Sequence, residues 1–359
     1  MSLWRDADLR GLVPEQFRLT LGEGSTPVVR SRTIGPSIGL EQLYFKVESG
    51  NPTGSYKDRF AAVAVSEMLA RGKKRCVATS SGNAGAALAA YCTAAGIECF
   101  ITIVETAPEN KLRQMLAYGA RIVKIRGFGL DADISEKTFH TLRRMGARED
   151  SQLQISAFTH SPIGMQGVQS IAYDLAGQGP GPWAHVFSPA GGGGLCLSVA
   201  RGFARLVEEG ELAACPKMDV VQPAGNDTIS TPLREGADKA RAVAATTRIS
   251  GLQVPSVIDG DWTLAACRAT GGQGFAVSDE DVWKAQKRLA REEGIFTEPA
   301  GATALAGVLQ AARSGRLLKD APIACLVTGI GFKDDASAQA MAADSECPLW
   351  DVETLAALE

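Results

Sequence analysis

Three short stretches carry residue types that could do chemistry together. The first is Gly50-Asn51-Pro52-Thr53-Gly54-Ser55-Tyr56-Lys57-Asp58-Arg59-Phe60, in which turn formers deliver Lys57 close to the start of a helical pattern. A lysine cation is disfavoured by the dipole at a helix N-terminus, which favours the neutral amine that attacks an aldehyde carbon. The second is the tetraglycine Gly191-Gly192-Gly193-Gly194, set between the apolar run AHVFSPA and an amphipathic run beginning at Leu195. With no Cβ atoms, its N–H groups can close on an anion, and the following helix start adds partial positive charge. It lacks the third glycine and the distal acidic residue of a dinucleotide loop, and the Lys-Ser/Thr of a P-loop. The third is Ser80-Ser81-Gly82-Asn83, whose hydroxyls, amide and backbone donors suit a carboxylate and a phenolic oxygen. Each stretch has a plainer use: a surface lysine, tight strand–helix packing, and helix capping by Ser or Asn. In the third, one residue is expected to cap the helix and another to meet ligand. Asp58 and Arg59 read equally well as helix-start and ion-pair residues.

An amine for an aldehyde, glycines for a phosphate and a polar loop for a carboxylate converge on one ligand. Pyridoxal phosphate supplies the aldehyde and the phosphate, and an amino-acid substrate supplies the carboxylate.

These stretches need elements to hold them. Strand-length runs at Leu43–Val47, Arg75–Thr79, Glu98–Val104, Arg121–Ile125, Ala184–Ser188, Met218–Val221 and Ile323–Thr328 alternate with helical patterns. The latter cover Asp58–Ala70, Ala84–Ala95, Glu109–Tyr118, Asp131–Met145, Asp279–Glu292 and Ala300–Leu309. Such alternation predicts an α/β protein with parallel sheets covered on both faces. Open sheets of that kind bind ligands at the carboxyl ends of strands, where Ser80–Asn83, Gly191–Gly194 and Thr328–Gly331 fall. Gly177–Pro182 is a short connection and not a flexible tether.

The chain has 359 residues, 45% hydrophobic and 21% charged, enough for two domains with their own core. Its 37 basic and 40 acidic residues give a net charge of −3, so no basic field is expected to hold nucleic acid or an anionic membrane. No apolar run reaches the ~18 residues of a membrane span, and the charged start MSLWRDADLRG is unlike a signal peptide. A cytoplasmic enzyme is the expectation. The eight cysteines form no CxxC and several sit in apolar runs, so they read as reduced core residues and not as a zinc site or disulfide framework. His140, His160 and His185 share no metal-like spacing, and no metal is expected.

The order LGEGSTP (21–27), NPTGSYKDR (51–59), SSGNAG (80–85), GGGGL (191–195), GIFTEPAGATALAG (294–307) and TGIGFKD (328–334) resembles the pyridoxal-phosphate enzymes of the tryptophan-synthase-β superfamily, fold type II. The likeness runs from about Leu21 to Asp334 and leans toward the threonine synthase branch. It implies two domains, each an open, mostly parallel twisted sheet flanked by helices. Residues 45–166 would form a small substrate-side domain, and 1–44 with 167–359 a large cofactor-binding one, usually in a homodimer. By resemblance, Lys57 holds the cofactor as a Schiff base and removes the Cα proton, and Asn83 bonds the phenolic oxygen. Gly191, Gly192, Gly193, Gly194 and Leu195 hold the phosphate, Thr328 faces the pyridine nitrogen, and Ser80, Ser81 and Gly82 hold the substrate carboxylate. A neutral hydroxyl at Thr328 favours elimination and replacement over transamination.

The branch points to conversion of O-phospho-L-homoserine and water to L-threonine and phosphate. The alternative is a serine/threonine dehydratase or another β-replacement enzyme, toward which Ser188-Pro189-Ala190 before the glycines leans. A non-catalytic metabolite-binding member is disfavoured by the intact lysine motif. Lys57, Lys111, Arg113 and Lys333 are candidates for a substrate phosphate, and Glu298 is read either as an acidic N-cap or as a ligand contact. Phe60, Ile330 and Phe332 differ from residues common in the family and are expected near the cleft.

Overall fold

In the computed structural model, residues 3–5, 7–107, 109–315, 317 and 320–357 are described. Among the described residues, ten strands form: β1 (Val28–Arg30), β2 (Leu43–Val47), β3 (Arg75–Thr79), β4 (Glu98–Val104), β5 (Arg121–Ile125), β6 (Ser151–Gln154), β7 (His185–Pro189), β8 (Lys217–Pro223), β9 (Gly274–Val277) and β10 (Ile323–Val327). The first helices are α1 (Ala7–Leu12), α2 (Ile34–Ser37), α3 (Lys57–Ala70), α4 (Asn83–Ala94), α5 (Arg113–Ala117), α6 (Ala132–Gly146) and α7 (Pro162–Gln178). They are followed by α8 (Gly194–Glu208), α9 (Ser230–Arg234), α10 (Gly260–Ala269), α11 (Asp279–Glu293), α12 (Pro299–Arg313), α13 (Asp335–Ala342) and α14 (Val352–Ala356). The helix expected over Glu109–Tyr118 is a 3₁₀ turn, Glu109–Leu112, leading into the short α5.

Two sheets result. One has six strands in the order β1-β2-β10-β7-β8-β9, antiparallel only at β1–β2, and the other has four parallel strands in the order β5-β4-β3-β6. Every residue of β7 and of β10 is buried, as expected of central strands covered by helices on both faces. The 44/45 boundary expected from sequence falls inside β2, whose five residues all pair with β10 in the six-stranded sheet.

Helix α3 has no apolar stripe; from Asp58 to Met68 it is buried all round, the mark of a helix enclosed on every side. It packs on α7 and α4, and α7 packs on α8. Glycines permit the α3–α7 approach: a Cβ at Gly167 would overlap the Arg59 carbonyl, and one at Gly164 would lie 2.8 Å from the Phe60 ring. Phe60 is therefore a core residue facing α7, fully buried, and not part of the cleft. Phe332 corrects the same expectation in the other direction: its ring is 75% exposed and meets Phe296 edge-on at 4.9 Å.

Six of the eight cysteines are buried, Cys215 is half-buried and Cys347 exposed; none is bonded to another. His185 pairs with Asp219 at 2.6 Å inside the larger sheet, away from the three stretches.

Candidate active site

Lys57 is the first residue of α3. Its Nζ donates to Ser156 Oγ at 2.7 Å and lies 4.5 Å from the centre of the Tyr56 ring. The preceding turn is clamped to the TGIGFKD segment: Tyr56 N–H donates to the Thr328 carbonyl at 3.1 Å, and Ile330 N–H to the Gly54 carbonyl at 2.9 Å. Gly54 needs its freedom here, with φ +86° and Ile330 2.7 Å from where a Cβ would sit. Asp58 accepts from Thr53 N–H at 3.0 Å and Thr53 Oγ at 2.8 Å, closing the turn from below. Burial pushes its carboxyl up to about 6, although both Thr53 bonds oppose the shift.

Arg59 locks the start of α3 into the core. Fully buried, it reaches Glu48 through Nε at 2.7 Å and Nη2 at 2.9 Å, Asp174 at 2.5 Å and Ser170 Oγ at 2.8 Å. Burial would raise the Glu48 carboxyl, but the Arg59 guanidinium overrides it and holds it below the usual range. Lys46, pushed down by its own burial, joins through Asp174 at 3.0 Å. The LGEGSTP motif serves the same scaffold. Thr26 Oγ donates to Glu48 at 2.5 Å, Gly24 N–H to Asn51 Oδ1 at 3.0 Å, and Tyr91 OH to the buried Glu23 at 2.7 Å.

The glycine stretch joins β7 to α8. Gly193 is the N-cap of α8 in a left-handed conformation, φ +97°, and no side chain caps the helix. Among the described residues, no acceptor is found for the backbone N–H groups of Gly191 through Cys196. Such a row of unspent donors at a helix start can hold an anion. Packing also uses these glycines: a Cβ at Gly193 would overlap Thr263 Oγ, and one at Gly191 would meet Val254 at 3.0 Å. The position of a Cβ on Gly194 lies 3.7 Å from the Ser156 carbonyl, so the residue that takes the Lys57 amine also borders the loop. Asp259 ties these parts together, accepting from Phe158 N–H at 2.8 Å and Thr159 N–H at 3.1 Å while its own N–H donates to Gly192 at 3.1 Å.

The Ser80–Asn83 stretch ends at α4, whose N-cap is Gly82 with no side-chain cap. The capping role expected of Ser or Asn is therefore absent. Asn83 instead donates through Nδ2 to Glu298 Oε1 at 2.5 Å. Glu298 is the N-cap residue of α12 by backbone, but its side chain does not cap that helix and turns to Asn83. A Cβ on Gly329 would lie 3.2 Å from Asn83 Nδ2 and would overlap the Glu298 carboxylate. Thr328, next in chain, is buried, and its hydroxyl has no hydrogen-bond partner among the described residues.

A cleft of about 730 Å³ opens beside this cluster, lined by Ser81 and Thr106 from the four-stranded side and by Arg248, Trp283, Lys287 and Met341 from the other. A smaller hollow of about 380 Å³, at Leu233, Arg234 and Gly272–Gly274, shares none of these residues.

Of the substrate-phosphate candidates, Lys333 is half-buried and donates to Gln114 Oε1 at 2.7 Å. Burial pushes its amine down, while Glu298 and Asp58 pull it back up. Arg113 is exposed, and the side chain of Lys111 lies outside what is described. Sequence reasoning missed Ser156, Asp259 and the Asn83–Glu298 bond. Ser156 lies 99 residues from Lys57 in no recognisable motif, so no local signal marks it.

Unspent amide donors beside an amine fit a phosphorylated aldehyde, and an independent comparison agrees. A family model described as pyridoxal-phosphate dependent enzyme matches residues 19–329. The chain belongs to that family. It is a pyridoxal-phosphate-dependent lyase of fold type II.

Its relatives include the threonine synthase of Methanocaldococcus jannaschii, 31% identical over 343 residues, 94% of this chain and 82% of that one. The threonine synthase of Halalkalibacterium halodurans is 30% identical over 94% of this chain and 92% of its own. Among solved structures, threonine deaminase isoform 2 from Solanum lycopersicum superposes with a TM-score of 0.75 at 20% identity, covering 96% of this chain and 94% of that one. The threonine deaminase of T.th. does so with a TM-score of 0.71 at 26% identity, covering 90% and 96%. Among the described residues, no helix is long and apolar enough to cross a membrane.

Proposed function

We propose that this enzyme is threonine-synthase-like, converting O-phospho-L-homoserine and water to L-threonine and phosphate. The observation that carries this reading is a chain of contacts: the Lys57 amine bonds Ser156, whose carbonyl borders the start of α8, the turn before Lys57 bonds the Thr328 carbonyl, and Asn83 bonds Glu298. When bound, pyridoxal phosphate withdraws electrons from the substrate Cα, making its proton acidic and a leaving group labile.

In this reading Lys57 binds the cofactor's aldehyde carbon and, once released, moves the Cα proton. The N–H groups of Gly191 to Leu195 hold the cofactor phosphate. Asn83 spends one amide hydrogen on Glu298, leaving the other for the phenolic oxygen. Thr328 offers its unpartnered hydroxyl to the ring nitrogen. Ser80, Ser81 and Gly82, ahead of the uncapped α4, hold the substrate carboxylate. Lys333 supplies the charge-assisted contact that a second phosphate needs. The four-stranded body closes over the substrate and excludes water, and the working unit is a homodimer.

Deamination of L-serine or L-threonine is the competing reading, favoured by the likeness to the threonine deaminase of 26% identity. A paired assay separates the two. Threonine and inorganic phosphate from O-phospho-L-homoserine support the proposal; ammonia from L-serine or L-threonine alone replaces it. Lys57→Ala is expected to lose the visible absorbance of lysine-bound cofactor together with either activity. A wild-type protein that stays colourless with the cofactor would overturn both readings.

A further inference from the structure

Three thiols that the cleft does not use lie together in the core of the four-stranded body. Cys76 on β3, Cys92 on α4 and Cys99 on β4 bring their Sγ atoms within 4.8 Å of one another, and all three are buried. Cys76 and Cys99 are register partners across the parallel β3–β4 pair, and α4 packs against both strands. Their surroundings are apolar, the cluster containing Leu88, Ile101 and Met115. No basic side chain is among the groups that influence Cys76 or Cys99.

We propose that Cys76, Cys92 and Cys99 form a binding site for a trivalent arsenical, held as a three-coordinate tris-thiolate. Three soft donors select a thiophilic centre, and the geometry permits one. At a bond length of about 2.3 Å and the roughly 100° angles of a pyramidal centre, sulfurs sharing one centre sit about 3.5 Å apart, so the thiols need to contract by up to about 1.3 Å. Charge then chooses among thiophilic ions. Zinc takes four ligands in structural sites, and three thiolates on a divalent or monovalent ion leave net negative charge in an apolar core with nothing basic to offset it, at high cost. Arsenous acid escapes that cost. As(OH)₃ exchanges three As–O bonds for three As–S bonds, the three thiol protons leave with the hydroxyls as three waters, the oxidation state is unchanged, and the product is neutral. Neutral reactant and neutral product both suit entry through a transient opening of the core.

Bound there, the arsenic would stitch β3 to α4, the two elements that present Ser80–Asn83. The test loads the cofactor-bound enzyme with arsenite, removes the excess, and measures arsenic content and the arsenic X-ray absorption edge. One arsenic per chain with three sulfur neighbours and no oxygen is expected. Cys92→Ala and Cys99→Ala should each weaken retention at least tenfold, whereas Cys196→Ala, which breaks the separate Cys196–Cys267 contact at 3.6 Å, should not. Zinc at the same concentration should not be retained. If either cluster variant loses the cofactor absorbance, and so its fold, the wild-type absorption edge decides alone. An arsenic bearing two sulfurs and an oxygen, undiminished retention by Cys99→Ala, or no retention at all would overturn the proposal.

Discussion

Asp58 stands beside the catalytic lysine candidate but serves the turn that aims it. Its carboxyl, pushed up to about 6 by burial from an ordinary 3.8, makes stability depend on pH in a definite direction. Below the ordinary value both folded and unfolded chains carry the proton, and the group contributes nothing. Between the two values the unfolded chain ionises first, so this residue lowers stability as pH rises, by up to about 3 kcal/mol in total. Asp58→Asn should flatten that part of the curve, and urea titrations of both proteins at about pH 4.5 and about pH 7 check it. Equal slopes in the two proteins would remove the assignment. Arg59 is a sharper case. Arg59→Ala leaves Glu48 buried without its guanidinium partner, which should cost about 3–5 kcal/mol in urea unfolding, and Arg59→Lys should recover little because it loses the two-pronged contact. At this scale the motifs displayed Lys57, Asn83 and the glycines. They could not display Ser156 or Asp259, whose roles arise only when distant loops meet.

Helices α4 and α8, like α3, α7 and α12, begin without a side-chain cap, and they start at two of the three stretches of the candidate site. Gly193→Ala tests the second. It forces an L-residue to φ +97° and into Thr263, so cofactor affinity should fall at least tenfold, about 1.4 kcal/mol or more, as read by absorbance titration. Gly177→Ala, in α7 with open space around it, is the matched control and should stabilise the fold by roughly 0.5–1 kcal/mol. Most strands were legible because buried parallel strands are continuous apolar runs. β6, reading Ser-Gln-Leu-Gln, was not, since its polar composition hides an edge strand; β1 and β9 are only three and four residues long. The expected capping by Ser or Asn failed because capping propensity is blind to a side chain's competing partner, here Glu298.

For the whole molecule, alternation and motif order revealed mostly parallel sheets flanked by helices. The boundary near residue 44 was misjudged because pairing, which places β2 beside β10, leaves no local mark. The cleft between the sheets offers an optical reporter in Trp283. If the two bodies close on substrate, O-phospho-L-homoserine should shield that indole from acrylamide quenching, and Trp283→Phe should abolish the shielded fraction. Unchanged quenching in the wild type would argue for a rigid cleft. The helix carrying Lys57 is enclosed on all sides and pinned by a buried charge network, while Arg248 stands exposed at the rim of the cleft. Inheritance can therefore vary the rim to admit new amino acids while the reactive amine keeps its station, so one ancestral scaffold can diversify by repainting its doorway.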